Sequence, residues 1–359
     1  MEQKAKKWFA GCVTAVLVCL VAAGALMIVI DPYFHYHGPL PQLSYRLYEE
    51  RYVNDGISRH FSYDAIITGT SMAQNFKTTQ MDELFGTHAV KEPFSGAGFQ
   101  ELSENLERAL KRNEELKTIL VAVDYNGLLR SYDWKKYEEY PTYLYDDNPF
   151  NDVSYLFNKS IWYHGALSNL VMTLQKEEST SMDAYSSWRY ETGIEHILYS
   201  YSRDDLEPFE NVGFGPSEEK IVTETIQKNF VDLANEYPDT QFYLFYTPYS
   251  IVYWDALDIQ GNRDQQLKAE KLATEMLLAC PNVKLYNFFD QYEIICNTDY
   301  YNDSCHYSGE VNEMILNWIK EDRGLLTWDN YLERLAAEED FYANYDYDSI
   351  YIYAALSAK

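Results

Sequence analysis

The 359-residue sequence predicts an α/β fold: a three-layer, doubly wound sandwich around a five-stranded, mostly parallel sheet, preceded by one transmembrane helix. Three observations carry that reading. Short apolar runs alternate with helical patterns, which is how β-α units read in sequence. One run, Thr118-Ile119-Leu120-Val121-Ala122-Val123, is almost wholly apolar, as a central strand covered on both faces should be. The first thirty residues also differ in kind from all that follow, with an apolar stretch uninterrupted by charge.

Taken in order, Lys4, Lys6 and Lys7 precede an uncharged segment at residues 8–30. As a helix its 23 residues span roughly 34 Å, enough to cross a hydrocarbon core of about 30 Å. Lysines on the short amino-terminal side predict a single-pass cell-membrane protein whose tip is cytoplasmic and whose main domain, after Asp31, is extracytoplasmic. The small residues Ala22-Ala23-Gly24-Ala25 also suit a cleaved signal peptide, but the apolar run continues to Ile30, past a signal core of about 7–15 residues.

Residues 31–62, with Pro32, Pro39 and Pro41, predict an irregular stalk, and the α/β domain covers residues 63–325. Its predicted elements are a strand at 65–68, a helix at 71–84 and a strand at 88–91. An amphipathic helix then opens at Ser95-Gly96-Ala97-Gly98, runs through Leu102, Leu106, Ala109 and Leu110, and ends before Lys117. After the strand at 118–123 the pattern lapses into a tyrosine-rich insertion at 126–217, too long for an ordinary loop, with a helix expected within 156–174. There Tyr137, Tyr140, Tyr143, Tyr145 and Trp188 suit either a wall over a site or the packing of a half-buried cap. A helix at 218–237, a strand at 242–246, a helix at 264–278 and a strand at 283–286 complete the pattern. Residues 326–359 form an acidic, tyrosine-rich extension whose alternation at 342–353 fits an edge strand, a docking surface or a tail.

The formal charge is −27, and because the first thirty residues carry +2, the remainder carries −29. Such a surface repels phosphate, which excludes nucleic acid as a partner. Of five cysteines, Cys12 and Cys19 fall in the membrane segment. Cys280, Cys296 and Cys305 remain, and Cys296 and Cys305 could close a small loop in an oxidising compartment.

Right-handed crossovers bring the carboxyl ends of the parallel strands to one edge, where open α/β folds place their sites. Ser71, Gly96, Asp124 and the loop holding Asp303 and His306 all fall there. Gly69-Thr70-Ser71 puts a serine in a strand-to-helix turn, and Asp303-Ser304-Cys305-His306 spaces a carboxylate and an imidazole by three positions, so one helical turn or tight loop sets both on the same side. A nucleophile, a base and an orienting carboxylate are the parts acyl transfer needs. Singly, the same motifs are ordinary turn and cap residues. A metal-dependent hydrolase built on Asp299, Asp303 and His306 is a further reading, although the other histidines are scattered without ligand spacing.

With these residues assembled, residues 60–322 resemble the SGNH or GDSL superfamily of hydrolases and acyltransferases. More narrowly, they are similar to membrane-anchored bacterial members, including the accessory protein of lipoteichoic acid D-alanylation. The resemblance implies Ser71 as nucleophile, His306 as general base and Asp303 as its orienting partner, with a backbone N–H from Gly96 in the oxyanion hole and no metal or organic cofactor. Two departures matter. Thr70 replaces the usual first-block aspartate, and Val123-Asp124-Tyr125-Asn126 stands where a Gly-x-Asn is expected, leaving Asn126 as the substitute donor. What is implied is an extracytoplasmic serine acyltransferase or esterase acting on O-acyl groups of an envelope polysaccharide or teichoic-acid-like polymer, beside a multi-spanning membrane O-acyltransferase. The alternative is a catalytically silent anchored protein that binds glycan or assembles an envelope complex on the same fold.

Overall fold

The computed structural model describes residues 2–351. The chain divides into two compact units, one made of Met1–Phe61 with Glu139–Ser181, the other of Ser62–Glu138 with Met182–Lys359.

The second unit holds the sheet. Its strands are β1 (Ala65–Gly69), β2 (Ala89–Pro93), β3 (Thr118–Val123), β4 (Gln241–Tyr246), β5 (Val283–Tyr286) and β6 (Leu325–Leu326), in the spatial order β2-β1-β3-β4-β5-β6. Strands β1 to β5 pair in parallel, and β6 pairs antiparallel with β5. The sheet is therefore mixed and six-stranded, not five-stranded. At two residues, β6 is too short to leave a periodic signal; it forms because the chain turns back at Gly324 (φ 76°), whose carbonyl accepts the Asn287 N–H at 3.0 Å. Ile66, Ile67, Ile119 to Val123, Leu244 and Phe245 are all buried, which is why β1, β3 and β4 read as apolar runs.

Register brings the strand ends level. Gly69 lies opposite Pro93, and Val123 opposite Tyr246. One residue further on, the Phe94 N–H reaches the Gly69 carbonyl at 2.8 Å and the Thr247 N–H the Val123 carbonyl at 3.2 Å. Thr70, Phe94, Asp124 and Thr247 thus share one edge.

The expected helix at 71–84 is two pieces, a 3₁₀ turn Ser71–Ala73 and a helix Thr78–Phe85. The break follows from a distant cap: Asp183 accepts the Thr79 N–H at 3.1 Å and the Thr78 and Thr79 hydroxyls at 2.9 and 2.6 Å, so the helix starts there. Helix Phe99–Arg112 buries Leu102, Leu106, Ala109 and Leu110 as expected. The predicted 218–237 helix is Pro216–Ile226, a π-helical turn Gln227–Val231 and Asp232–Glu236. At the carboxyl end, helix Tyr331–Asn344 takes in the start of the 342–353 alternation and residues 348–351 are helical, so of the three readings the edge strand does not form there; Tyr342 stacks on Trp254 at 3.8 Å between centroids. Residues 352 and 353 of that alternation lie outside the described residues.

The first unit contains the 29-residue apolar helix Glu2–Ile30, long enough to cross a membrane. Residues 31–62 are not an irregular stalk throughout, since they include helix Glu50–His60. The Asp31 carboxylate accepts the N–H groups of His35, Tyr36 and His37 and the Tyr155 hydroxyl, all within 3.0 Å, which ties the end of the apolar helix to the insertion. All five cysteines, Cys296 and Cys305 included, are free thiols.

Candidate active site

The sheet edge collects the residues that the sequence singled out. Strand β1 ends at Gly69, whose φ of 150° and crowding leave no room for a side chain: a Cβ there would lie 2.8 Å from Ala122 Cβ and 3.0 Å from Ala73 Cβ. That close approach sets Thr70 and Ser71 at the mouth of the sheet. The turn is held from behind by Asn312, whose amide donates to the Met72 carbonyl at 3.0 Å.

Asp303 and His306 sit in a loop, not on a helix. A bridge between Tyr301 and Tyr307 closes the loop, and the Asp303 Oδ1 accepts the N–H groups of Cys305 and His306 at 2.8 and 2.7 Å. Ser250 fixes the loop from outside, donating through its hydroxyl to the Ser304 carbonyl at 2.7 Å. Within this frame the Asp303 Oδ2 lies 2.7 Å from His306 Nδ1, and His306 Nε2 lies 2.7 Å from Ser71 Oγ. Residues 235 positions apart in the chain are joined in one relay.

Burial opposes the charge on His306, but the hydrogen bond and charge of Asp303, with the charge of Asp124 behind them, outweigh it and raise the imidazole above its ordinary value of 6.5. Burial likewise works against ionised Asp303, yet His306 and the two backbone N–H groups hold its carboxyl below the ordinary 3.8. Asp303 is held as the carboxylate, and His306 is made more basic, so that it draws a proton from a neighbouring donor once it is itself neutral.

Of the two expected oxyanion donors, Gly96 is in the loop after β2 with φ 64°, and its surroundings add a cation: a Cβ at Gly96 would lie 2.7 Å from Lys136 Nζ. The Lys136 ammonium lies against this loop and donates to the Ser95 carbonyl at 3.5 Å. Asn126 is engaged elsewhere. Its Oδ1 accepts the Tyr253 hydroxyl at 3.1 Å and its side chain also contacts the Cys305 thiol.

Two further residues complete the site. Asp124 directly follows β3 and accepts the Thr70 hydroxyl on Oδ2, while its Oδ1 has no hydrogen-bond partner among the described residues. Burial pushes this carboxyl up against the opposing pull of Thr70 and His306. An aspartate immediately after a buried strand was the available signal, yet nothing in the sequence paired it with Thr70. Trp188 is the one expected wall residue found beside the relay, with its ring edge-to-face on His306 at 5.8 Å and Tyr190 next to it at 5.1 Å. Asn75 Oδ1 holds the Trp188 N–H at 2.9 Å. Tyr140, Tyr143 and Tyr145 belong to the first unit, where Arg51 lies over Tyr140, Tyr143 meets Tyr52, and the Tyr145 hydroxyl donates to the Arg51 carbonyl at 2.6 Å. Tyr137 is half exposed under Lys136.

Asp299, offered as a metal ligand with Asp303 and His306, is not grouped with them: among the described residues no cluster of three His, Cys, Asp or Glu side chains is placed to hold an ion. A serine poised on an imidazole that is itself held by a carboxylate can do nucleophilic chemistry at a carbonyl without one.

No protein-family model matches the chain, and no curated protein does. Among solved structures, it is similar to one described as a candidate platelet activating factor from Streptococcus pneumonia, with 16% identity over 76% of this chain and 91% of that one and a TM-score of 0.39. A similarity of that size assigns neither substrate nor reaction.

Proposed function

We propose that the chain is an extracytoplasmic serine acyltransferase or esterase acting on O-acyl groups of a cell-envelope polymer or glycan. The observation that carries this reading is the Ser71–His306–Asp303 relay, with both hydrogen bonds at 2.7 Å. Ser71 attacks an ester or thioester carbonyl while His306 takes its proton, and Asp303 holds the ring and stabilises the imidazolium. The N–H of Gly96 receives the oxyanion, with the Lys136 ammonium beside the same loop adding positive charge. His306 then returns the proton to the leaving oxygen or sulfur. A hydroxyl of an envelope polysaccharide or teichoic-acid-like polymer accepts the acyl group in the second step; water in its place makes the protein an esterase. The long apolar helix Glu2–Ile30 supports anchoring in the cell membrane, where a multi-spanning O-acyltransferase would be a suitable donor partner.

One observation favours the alternative of a silent glycan-binding or assembly protein. The Asn126 side chain, which would donate its amide N–H to the oxyanion, is bonded to the Cys305 thiol, and its Oδ1 accepts the Tyr253 hydroxyl. The readings separate on reactivity. Purified protein treated with a fluorescent fluorophosphonate is expected to label at Ser71, with labelling abolished in Ser71→Ala and reduced roughly 10²–10⁴-fold in His306→Ala. A folded protein that does not label supports the silent reading.

A further inference from the structure

In the first unit, beyond the apolar helix Glu2–Ile30, exposed large apolar side chains gather on one short segment. Phe150 is 90% exposed, Val153 61%, Tyr163 65% and Leu174 83%, with Leu167 and Val171 also exposed. Four of these, Tyr163, Leu167, Val171 and Leu174, fall on one stripe of a continuous helical stretch in which a π-helical turn, Ile161–Ala166, runs into the α-helix Leu167–Gln175.

The amphipathicity of this helix is inverted. A surface helix of a globular protein turns its large apolar residues inward. Here the docked face includes Gly165, Ala166 and Asn169, and Asn169 accepts the Arg46 N–H at 3.0 Å. Ile161 is also buried, but Tyr163, Leu167, Val171 and Leu174 face out. Charge changes with them: residues 150–175 carry only Asp152, buried and bound to Tyr36, and Lys159, in a chain of net charge −27.

Position supplies the occupant. A hydrocarbon core takes about 20 helical residues, so a span starting at Trp8 reaches its outer boundary near Met27. Phe157 packs on the apolar helix at Gly24, inside that boundary, where a Cβ would lie 3.6 Å from the Phe157 ring. Gly165 packs on Pro32, just beyond the helix, where a Cβ would lie 2.9 Å from Pro32 Cβ. The Asp31 carboxylate, bonded to the Tyr155 hydroxyl at 2.7 Å, locks this arrangement.

We infer that residues 150–175 form a collar that lies in the outer interface of the bilayer around the end of the anchor, with the Tyr163–Leu167–Val171–Leu174 stripe buried among the lipid headgroups and upper acyl chains. This rests on the membrane-spanning reading of Glu2–Ile30. The collar fixes the outer end of the anchor against the membrane plane, so the first unit is held by a surface as well as by a single helix.

The test uses the full chain in vesicles of phosphatidylcholine containing phosphatidylglycerol, with Cys12→Ala and Cys19→Ala as the parent. Cys280, Cys296 and Cys305 have thiols pushed up by burial and stay unreactive, and the unsubstituted parent serves as the blank. An environment-sensitive dye is attached at Leu167→Cys, Leu174→Cys or, as the marker of the span, Val18→Cys, and is quenched either by nitroxide on the lipid chains or by aqueous iodide. The expected result is lipid-borne quenching at Leu167 and Leu174 that is strongest for nitroxides about 5–10 Å below the headgroups, with deeper quenching at Val18. Quenching at Val18 with Leu167 and Leu174 open to iodide overturns the collar and leaves the anchor intact. Shielding of Leu167 and Leu174 from both quenchers also overturns it, in favour of a protein occupant. If Val18 itself is open to iodide, the membrane-spanning reading fails and the collar falls with it.

Discussion

Two carboxylate sites in the sheet-bearing unit use similar side chains to opposite ends. At the open edge, Asp303 is partly exposed, takes two backbone N–H groups and an imidazole, and is held below its ordinary value. Beneath the carboxyl-terminal helix, Glu270 and Glu338 are fully buried against each other; burial first, then mutual repulsion in the case of Glu270, pushes them up. Asn287 donates to both, with 2.7 Å to Glu338 Oε2, and the Tyr125 hydroxyl reaches Glu338 at 3.3 Å. With no salt bridge to either among the described residues, burial favours the protonated form of both carboxyls, and the pair clamps helix Arg263–Leu278 to helix Tyr331–Asn344. What separates the two sites is the partner: Asp303 is bonded to an imidazole, the glutamates to an amide and a hydroxyl.

The comparison breaks most severely at Asp303. Asp303→Asn keeps the shape but removes the charge that stabilises the imidazolium, and the rate of Ser71 labelling is expected to fall on the order of 10²–10⁴-fold with the unfolding midpoint little changed. In the natural chain that rate should climb with pH and level off above an apparent pKa higher than 6.5, because His306 must be neutral to accept the proton. Labelling that is flat from acid to alkaline pH would remove His306 from the relay.

How far the sequence foretold this contrast depends on the range of each signal. Strand β3 was legible because burial on both faces leaves a continuous apolar run. Ser71, Asp303 and His306 could be singled out because a Gly-Thr-Ser and an Asp-x-x-His fall at the expected sheet edge, although the shape of their loop could not, since it depends on a Tyr301–Tyr307 bridge and a Ser250 contact from another segment. Glu270 lies within the helix expected at 264–278 and Glu338 within the acidic extension, and no local pattern marks either as buried. Only the packing of the last helix, seated by the Trp254–Tyr342 stack, makes them a buried pair. The fusion of residues 139–181 with the amino-terminal segment was equally hidden, because non-local contacts through Asp31 and Tyr155 have no periodicity. Asn126 was assigned by position alone, and the Cys305 and Tyr253 contacts that engage its amide and its oxygen carry no sequence signature.

The buried pair predicts a second, smaller effect. A carboxyl raised in the folded state binds its proton more tightly there, so its contribution is complete below the ordinary 4.5 and is lost as pH rises through the raised value. Asp303 has the opposite sign: its contribution is present above 3.8 and is lost as pH falls through its depressed value. Glu338→Gln keeps an amide within reach of Asn287 and Tyr125 but has no proton to lose. It should flatten the decline of stability at alkaline pH by about 1–3 kcal/mol and leave Ser71 labelling unchanged. Chemical unfolding across pH checks this, and an unchanged slope would mean that the pair is not protonated in the folded state.

The smallest expected effect sharpens the boundary between the two sites, because Asp124 shares features of both. It is buried and raised like the glutamates, yet it lies at the open edge and its charge acts on His306. Thr70, which donates to it, is the residue before Ser71. Thr70→Val preserves volume, removes that donor, and should cost about 1 kcal/mol of stability. With less to hold its charge, Asp124 becomes harder to ionise and supports the imidazolium less. The pH profile of Ser71 labelling should therefore shift towards lower pH, and Asp124→Asn should shift it further in the same direction. A purely structural role for the Thr70 hydroxyl would instead lower the labelling rate equally at every pH, leaving the midpoint where it is.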